Sequence, residues 1–215
     1  MPSPKTTQRP LRRDAERNRD RIVEAARTAF ARDGIDVSVE EIARRAGVGM
    51  GTLYRRFPAK RDLIDAVLED AFSEICQAAE DALELEDGWL GFTTFLDRVF
   101  ELHVRNRGIK DVIASGQHDR RRLEALRAQM RPLVAELIRR AQEQGTLRRD
   151  FVAEDMPILI WTGGRVAELT SDVSPELWRR YLGFMLDGLR TGAATPLSRP
   201  PLTREQLDRV TGARR

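Results

Sequence analysis

The sequence predicts an all-α protein, and three observations carry that reading. Every long segment repeats its apolar residues with the three-to-four spacing of a helix. No segment sustains the alternation of a half-buried strand. The periodic runs are cut at short intervals by glycine or proline, at Asp33-Gly34, Gly47-Val48-Gly49, Pro58, Asp87-Gly88, Gly108, Gly116 and Gly145. The 215 residues suit one medium domain or two small ones, and 41% apolar with 33% charged residues suits a folded chain.

Residues 1–12 place Lys5, Arg9 and Arg12 among Pro2, Pro4 and Pro10, and Arg13 follows before the first acid, Asp14. This reads as a disordered basic arm, either merely solubilising or directed to phosphate. From Asp14 to Arg32, Ile22, Ala25, Ala26, Ala29 and Phe30 mark one helical face, and Gly34 supplies the stop. Ser38 and Glu41 form a capping-box pattern that opens a short helix with Val39, Ile42, Ala43 and Ala46 inward. After Gly47-Val48-Gly49 a second short helix, about 50–57, turns Leu53 and Phe57 inward and ends at Pro58.

A long helix over 60–83 follows, striped by Leu63, Ile64, Val67, Leu68, Ala71, Phe72 and Ile75. Trp89, Phe92, Leu96, Val99, Phe100 and His103 share the next helical face, which Gly108 closes. A short apolar piece, 109–115, leads to a long helix from Leu123 to Ile138 that stops at Gly145. Two helices over about 153–171 and 175–191 complete the pattern. From Ala193 the chain reads as a mobile tail with one weak helical turn over 204–210. The domains are thus an arm over 1–12, a head over 13–59, a larger helical domain over 60–192 and a tail over 193–215.

Composition excludes several classes. One cysteine, Cys76, leaves no disulfide framework and no Cys-rich zinc module. Two histidines, His103 and His118, give little to His-based catalysis, and no spacing suggests a metal or cofactor site. No leader-like or membrane-length apolar run occurs, which predicts a soluble cytoplasmic protein. The net charge of +3 divides unevenly: residues 1–65 hold 15 basic and 10 acidic side chains, leaving 22 and 24 for the rest. The positive excess lies in the arm and head.

The two short helices over 38–57, joined by a glycine-containing turn, form a helix-turn-helix, a DNA-reading unit or, more blandly, a helical hairpin for protein contact. With Leu53 and Phe57 inward, Gly51 and Arg55 point most directly outward, flanked by Thr52, Tyr54 and Arg56. Gly51 lets the backbone approach a major groove. The hydroxyls of Thr52 and Tyr54 suit phosphate, and Arg55 suits bidentate guanine readout with Arg56 or Met50 at the edges. Lys60, at the start of the long helix, suits a phosphate shared with that helix's amide end.

The segment Gly34 to Leu63 resembles the DNA-binding region of TetR-family transcriptional regulators. The likeness rests on Ser38, Ile42-Ala43, Ala46-Gly47-Val48, Gly51-Thr52-Leu53-Tyr54, Phe57 and Lys60, and extends over Arg17 to Gly34. It implies phosphate contacts from Ser38, Thr52, Tyr54 and Lys60, and base-facing roles around Met50, Gly51 and Arg55. Arg56 stands where many relatives carry histidine, and Gly49 where many carry serine. The likeness further implies a C-terminal ligand-binding and dimerisation domain, with a homodimer formed through the helices at about 153–171 and 175–191.

In that domain Phe92, Phe95, Trp161 and Arg165 are candidates for a small-molecule pocket, although core packing accounts for aromatic residues equally well. Arg165, after Gly163-Gly164 on an apolar helix, asks for a buried partner, a carboxylate across a subunit contact or an acidic ligand. The two glycines ask for close packing to offset their helix cost. His103 reads as a core histidine, His118 as exposed, and Cys76 as a small buried hydrophobe. The function predicted is a ligand-responsive repressor that binds a palindromic double-stranded operator as a dimer and is not an enzyme. The alternatives are an activator, a ligand-independent regulator, or a helical ligand carrier or enzyme with an accessory basic head.

Overall fold

A computed structural model describes residues 8–106, 108–193 and 195–210. Ten α-helices run along it: α1 Gln8–Asp33, α2 Val39–Ala46, α3 Met50–Arg56, α4 Lys60–Leu83, α5 Gly88–Arg105, α6 Gly108–Ala114, α7 Arg120–Glu143, α8 Met156–Thr170, α9 Leu177–Leu189 and α10 Arg204–Val210. Among the described residues the sole β-type pairing is a bridge between Leu147 and Arg190. No described helix is long and apolar enough to cross a membrane. The chain forms two compact units, Met1–Leu68 with Gly108–Asp119, and Glu69–Arg107 with Arg120–Arg215.

The first unit closes on Ile22, Val23, Ala26, Ala29 and Phe30 of α1, Ile42, Ala43 and Ala46 of α2, Leu53, Phe57 and the first turns of α4, all buried. Most of the periodic positions read from the sequence meet here, although Ala25 and Val39 are only half-buried and Val23 joins the core from outside the predicted stripe. Gly108 is different. It opens α6 instead of stopping α5, which ends at Arg105 with Asn106 as its C-cap. A Cβ there would lie 2.7 Å from the Phe30 carbonyl carbon and the Ala31 nitrogen, so the glycine lets α6 press on the backbone of α1. The buried Asp65 carboxylate accepts the Asp119 amide at 2.8 Å and holds the loop after α6. His118, in that loop, is buried where the sequence predicts an exposed residue, because the loop folds back onto α4.

The second unit is built on Phe92, Phe95, Leu96, Val99 and Phe100 of α5, packed with Val134, Leu137 and Ile138 of α7 and Trp178 and Leu182 of α9. Asp87 caps α5, accepting from the Trp89 and Leu90 amides at 2.9 and 3.0 Å. Gly163 and Gly164 receive the side chains of Phe100 and His103: a Cβ at either would collide with the ring opposite. Their close packing therefore lies within the chain, against α5. His103 itself is half-buried.

The N-terminal end carries more helix than the sequence predicts, and the tail forms its helix over the range expected. The disordered arm is expected through residue 12, yet α1 begins at Gln8. Pro10 falls in the first turn, where no amide is needed. Residues 1–7 lie outside the described residues. The tail forms α10, opened by a reciprocal cap in which Thr203 Oγ1 accepts the Gln206 amide at 3.3 Å and Gln206 Oε1 accepts the Thr203 amide at 2.8 Å.

Candidate nucleic-acid interface

The first recognition element is α2. Ser38 has extended backbone at φ −72° and ψ 151°, and its Oγ accepts the Glu41 amide at 3.2 Å. The other half of the capping box does not form. The Glu41 carboxylate instead takes Arg44 through Nε and Nη2 at 2.8 and 2.7 Å, and Arg45 through Nε at 2.7 Å. The bonds from Arg44 and then Arg45 hold the Glu41 carboxyl down at about 2. Arg45 also reaches Asp33, at the end of α1, at 2.6 Å. Both arginines of α2 are thus engaged by carboxylates of the same unit.

A left-handed glycine ends α2. At φ 63° Gly47 donates its amide to the Arg44 carbonyl at 3.2 Å, and Val48 donates to that of Ala43 at 3.1 Å, the paired closure of a Schellman turn. Arg21, on α1, lays Nη2 against two further carbonyls of the turn, Ala46 at 2.6 Å and Gly47 at 3.0 Å. Sequence reasoning missed this residue. A lone arginine on a helix rich in arginine gives no local signal, and its two acceptors lie 25 and 26 positions away.

The reading helix is α3. Leu53 and Phe57 are buried, while Gly51, Tyr54, Arg55 and Arg56 are exposed and Met50 and Thr52 half-buried. The outward side is the one the helical wheel selects. Gly49 is extended at its N-cap and offers no side chain to it. A Cβ on Gly51 would meet nothing within 4 Å, so the backbone at that point is the bare floor of an open surface. Among the described interactions, Tyr54, Arg55, Arg56 and Lys60 carry no hydrogen bond or ion pair through their side chains. Lys60 starts α4 half-buried. Asp62 shares that helix end, its carboxylate accepting the Ala59 amide at 2.9 Å, so the amide end is partly satisfied internally. Ser38, Met50, Gly51, Thr52, Tyr54, Arg55, Arg56 and Lys60 all lie within the first unit.

The pocket candidates of the second unit differ in burial. Phe92 and Phe95 are core residues, with Phe92 edge-on to Phe151 at 5.7 Å between centroids. Trp161 is half-buried on α8. Arg165 is exposed on the single chain and pairs with Glu168 one turn along at 2.9 Å. The apolar residues of α9 divide between two faces. Trp178 and Leu182 enter the core, with Met185, Leu186 and Leu189 packed against it, whereas Tyr181 and Phe184 stand exposed. Ile158 and Leu169 of α8 are exposed as well. An open groove of about 510 Å³ lies between α5 and α9, lined by Thr93, Asp97, Glu101, Arg179, Leu182 and Leu186 among others. Cys76 is only half-buried, and burial beside Glu80 raises its thiol.

The likeness to known proteins covers both units. Residues 22–67 match the family of bacterial regulatory proteins of the tetR type, and residues 90–191 match the C-terminal domain of SbtR-like transcriptional regulators. A TetR transcription regulatory protein from Mycobacterium vanbaalenii is 32% identical, with a TM-score of 0.64 over 84% of this chain and 99% of that one. A TetR transcriptional regulator from Streptomyces coelicolor is 27% identical, with a TM-score of 0.62 over 80% of this chain and 98% of that one. An HTH-type transcriptional regulator of Staphylococcus aureus is 31% identical over 112 residues, 50% of this chain and 60% of that protein's length. With a DNA-reading helix-turn-helix in the first unit and a matching C-terminal domain in the second, the chain belongs to the TetR family of transcriptional regulators.

Proposed function

We propose that this regulator binds a palindromic operator as a cytoplasmic homodimer, represses the adjacent gene, and is released by an apolar or amphipathic small molecule. The observation that carries the DNA half is the surface of α3 and the start of α4, where Gly51 leaves the backbone bare and Arg55, Arg56 and Lys60 have no carboxylate partner among the described residues. In this reading Arg55 and the backbone at Gly51 meet base edges, with Met50 beside them. Ser38, Thr52, Tyr54, Arg56 and Lys60 contact phosphate, which sets position without reading sequence.

Exposed Tyr181 and Phe184 on α9, with Ile158 and Leu169 on α8, support a two-fold contact through these helices. A dimer presents two reading helices to half-sites roughly 34–36 Å apart. The ligand half follows from α4, one continuous helix whose first turns belong to the first unit and whose remainder belongs to the second. A compound binding in the second unit shifts the DNA-bound population only by its differential affinity for the two arrangements of that helix.

Fluorescence anisotropy with DNA from upstream of the chain's own gene, at low and physiological salt, tests the reading. Specific binding at about 10⁻⁸ M or tighter, lost on Arg55→Ala with Tyr54→Phe, supports it. An absence of binding at low salt, or full retention by the double variant, refutes it.

A further inference from the structure

The α2–α3 turn has a fixing that no local sequence rule supplies. A helix eight residues long leaves several terminal carbonyls unpaired by its own backbone. The Schellman closure takes the Ala43 and Arg44 carbonyls and stops there. Two carbonyls beyond them, Ala46 and Gly47, meet the guanidinium of Arg21, whose single Nη2 donates to both at 2.6 and 3.0 Å. A cation at this place also meets the negative end of the α2 dipole. Gly47 makes room for it, since a Cβ there would lie 2.9 Å from that same Nη2.

The base of this clamp is anchored in the core, and its object leads into a short helix. Arg21 precedes Ile22 and Val23, both buried in the core of the first unit, so its Cα is fixed. The turn leads into α3, seven residues long, with no side-chain cap at Gly49 and no acid in its first turn. Leu53 and Phe57 anchor the far side of α3, and the turn is what holds its N-terminal end, where Met50 and Gly51 lie.

We propose that Arg21 is a positioning residue for DNA reading: by tying the Ala46 and Gly47 carbonyls to α1 it sets the height and tilt at which Gly51 and Arg55 meet the major groove. The inference rests on the DNA-binding reading above. It assigns Arg21 an effect on discrimination, not on charge-driven affinity, because the donor nitrogen is already occupied by the two carbonyls. A small displacement of the helix end costs base contacts, whereas phosphate attraction tolerates it.

The test uses the full chain and its variants Arg21→Gln, Arg21→Met and Arg21→Lys. Active protein is titrated against a selected operator duplex and a random duplex across a salt series, and thermal unfolding is followed in parallel. Arg21→Gln and Arg21→Met should lower the operator-to-random affinity ratio by about tenfold, with random-duplex affinity within about twofold and an unchanged salt slope. Arg21→Lys, which keeps a cationic donor on a flexible stem, should restore most of the ratio. Equal losses on both duplexes with the slope reduced by about one would make Arg21 a phosphate contact and overturn the inference. A lower melting temperature with the ratio intact would make it a merely structural residue and overturn the inference as well. A wild-type chain that does not distinguish the two duplexes overturns the DNA reading itself, and this inference with it.

Discussion

Gly51→Ala should raise stability and lower operator affinity, and the two effects have separate physical origins. Gly51 is the second residue of α3, at a φ that alanine adopts readily, and an added Cβ meets no atom of the chain within 4 Å. Nothing in the folded protein therefore opposes the methyl group. Alanine loses less backbone freedom than glycine on entering a helix, a gain of about 0.5–1 kcal/mol. For a chain of this size that is a rise in melting temperature of about 1–4 °C.

On DNA the same empty space is where a groove floor would sit if the backbone makes its closest approach at Gly51. A methyl group forced into a close-packed contact costs about 1–3 kcal/mol, and 1.4 kcal/mol is tenfold in affinity. Operator binding should weaken by about tenfold or more, while binding to random duplex, which depends on charge, should hardly change. Differential scanning fluorimetry and anisotropy on one preparation measure both. Unchanged operator affinity in a stabilised Gly51→Ala protein would refute the placement of Gly51 at the groove. A lowered melting temperature would refute the claim that the site is open.

Three further outcomes follow from the second unit. Gly163→Ala drives a Cβ into the Phe100 ring, which is itself stacked on Trp178 at 5.8 Å between centroids. Overpacking of about 1–3 kcal/mol, less about 1 gained in helix propensity, leaves a net loss of up to about 2 kcal/mol, read as a lower urea midpoint at constant m-value. Glu136 is held at about 2 from an ordinary 4.5 by bonds from Arg139 and then Arg140. Its stabilisation is complete above about 4.5 and fades as pH falls towards 2, so Glu136→Gln should flatten the fall of melting temperature across that window. Phe184→Glu with Tyr181→Glu, at exposed positions of α9, should shift the mass measured by light scattering from that of a dimer to that of one chain.

The helices were legible because their stripes are long and their stops are chemical. Ile42, Ala43, Leu53 and Phe57 sit inside at the spacing the sequence shows, and α4 runs over the range its stripe marks. What escaped was set by residues distant in sequence. Gly108 looks like a stop, and only the fold shows α1 passing 2.7 Å from where its Cβ would be. Gly163-Gly164 correctly signalled close packing, but the partner was a matter of tertiary structure, and it is α5. Arg165 pairs with Glu168 of its own helix, a partner that the apolar run before it does not announce. His118 reads as a surface loop residue until the Asp65 carboxylate draws its loop inward. On the reading helix the outward positions were legible from two buried anchors alone. The clamp by Arg21 was not, since it joins side chain to backbone 25 residues away.

The arginines of the head divide by partner, and composition cannot make that division. Arg21, Arg44, Arg45 and Arg61 are engaged by carbonyls or carboxylates of their own unit. Arg55, Arg56 and Lys60 stand without such partners among the described residues, on or next to a helix with no acid of its own. A surface cation without a partner contributes little to folding, so replacing it should change stability by less than about 0.5 kcal/mol. Arg45→Gln, by contrast, releases both Asp33 and Glu41 and should lower the melting temperature. On DNA the order reverses. Each of Arg56→Gln and Lys60→Gln should lower the salt slope of binding by about one if that side chain neutralises a phosphate, with equal losses on operator and random duplex. Arg55→Gln should cost about 1–3 kcal/mol on the operator alone if it reads a guanine. Loss of stability from the three unpartnered cations, or equal effects of all three on both duplexes, would show that this face is not divided into positioning and reading contacts.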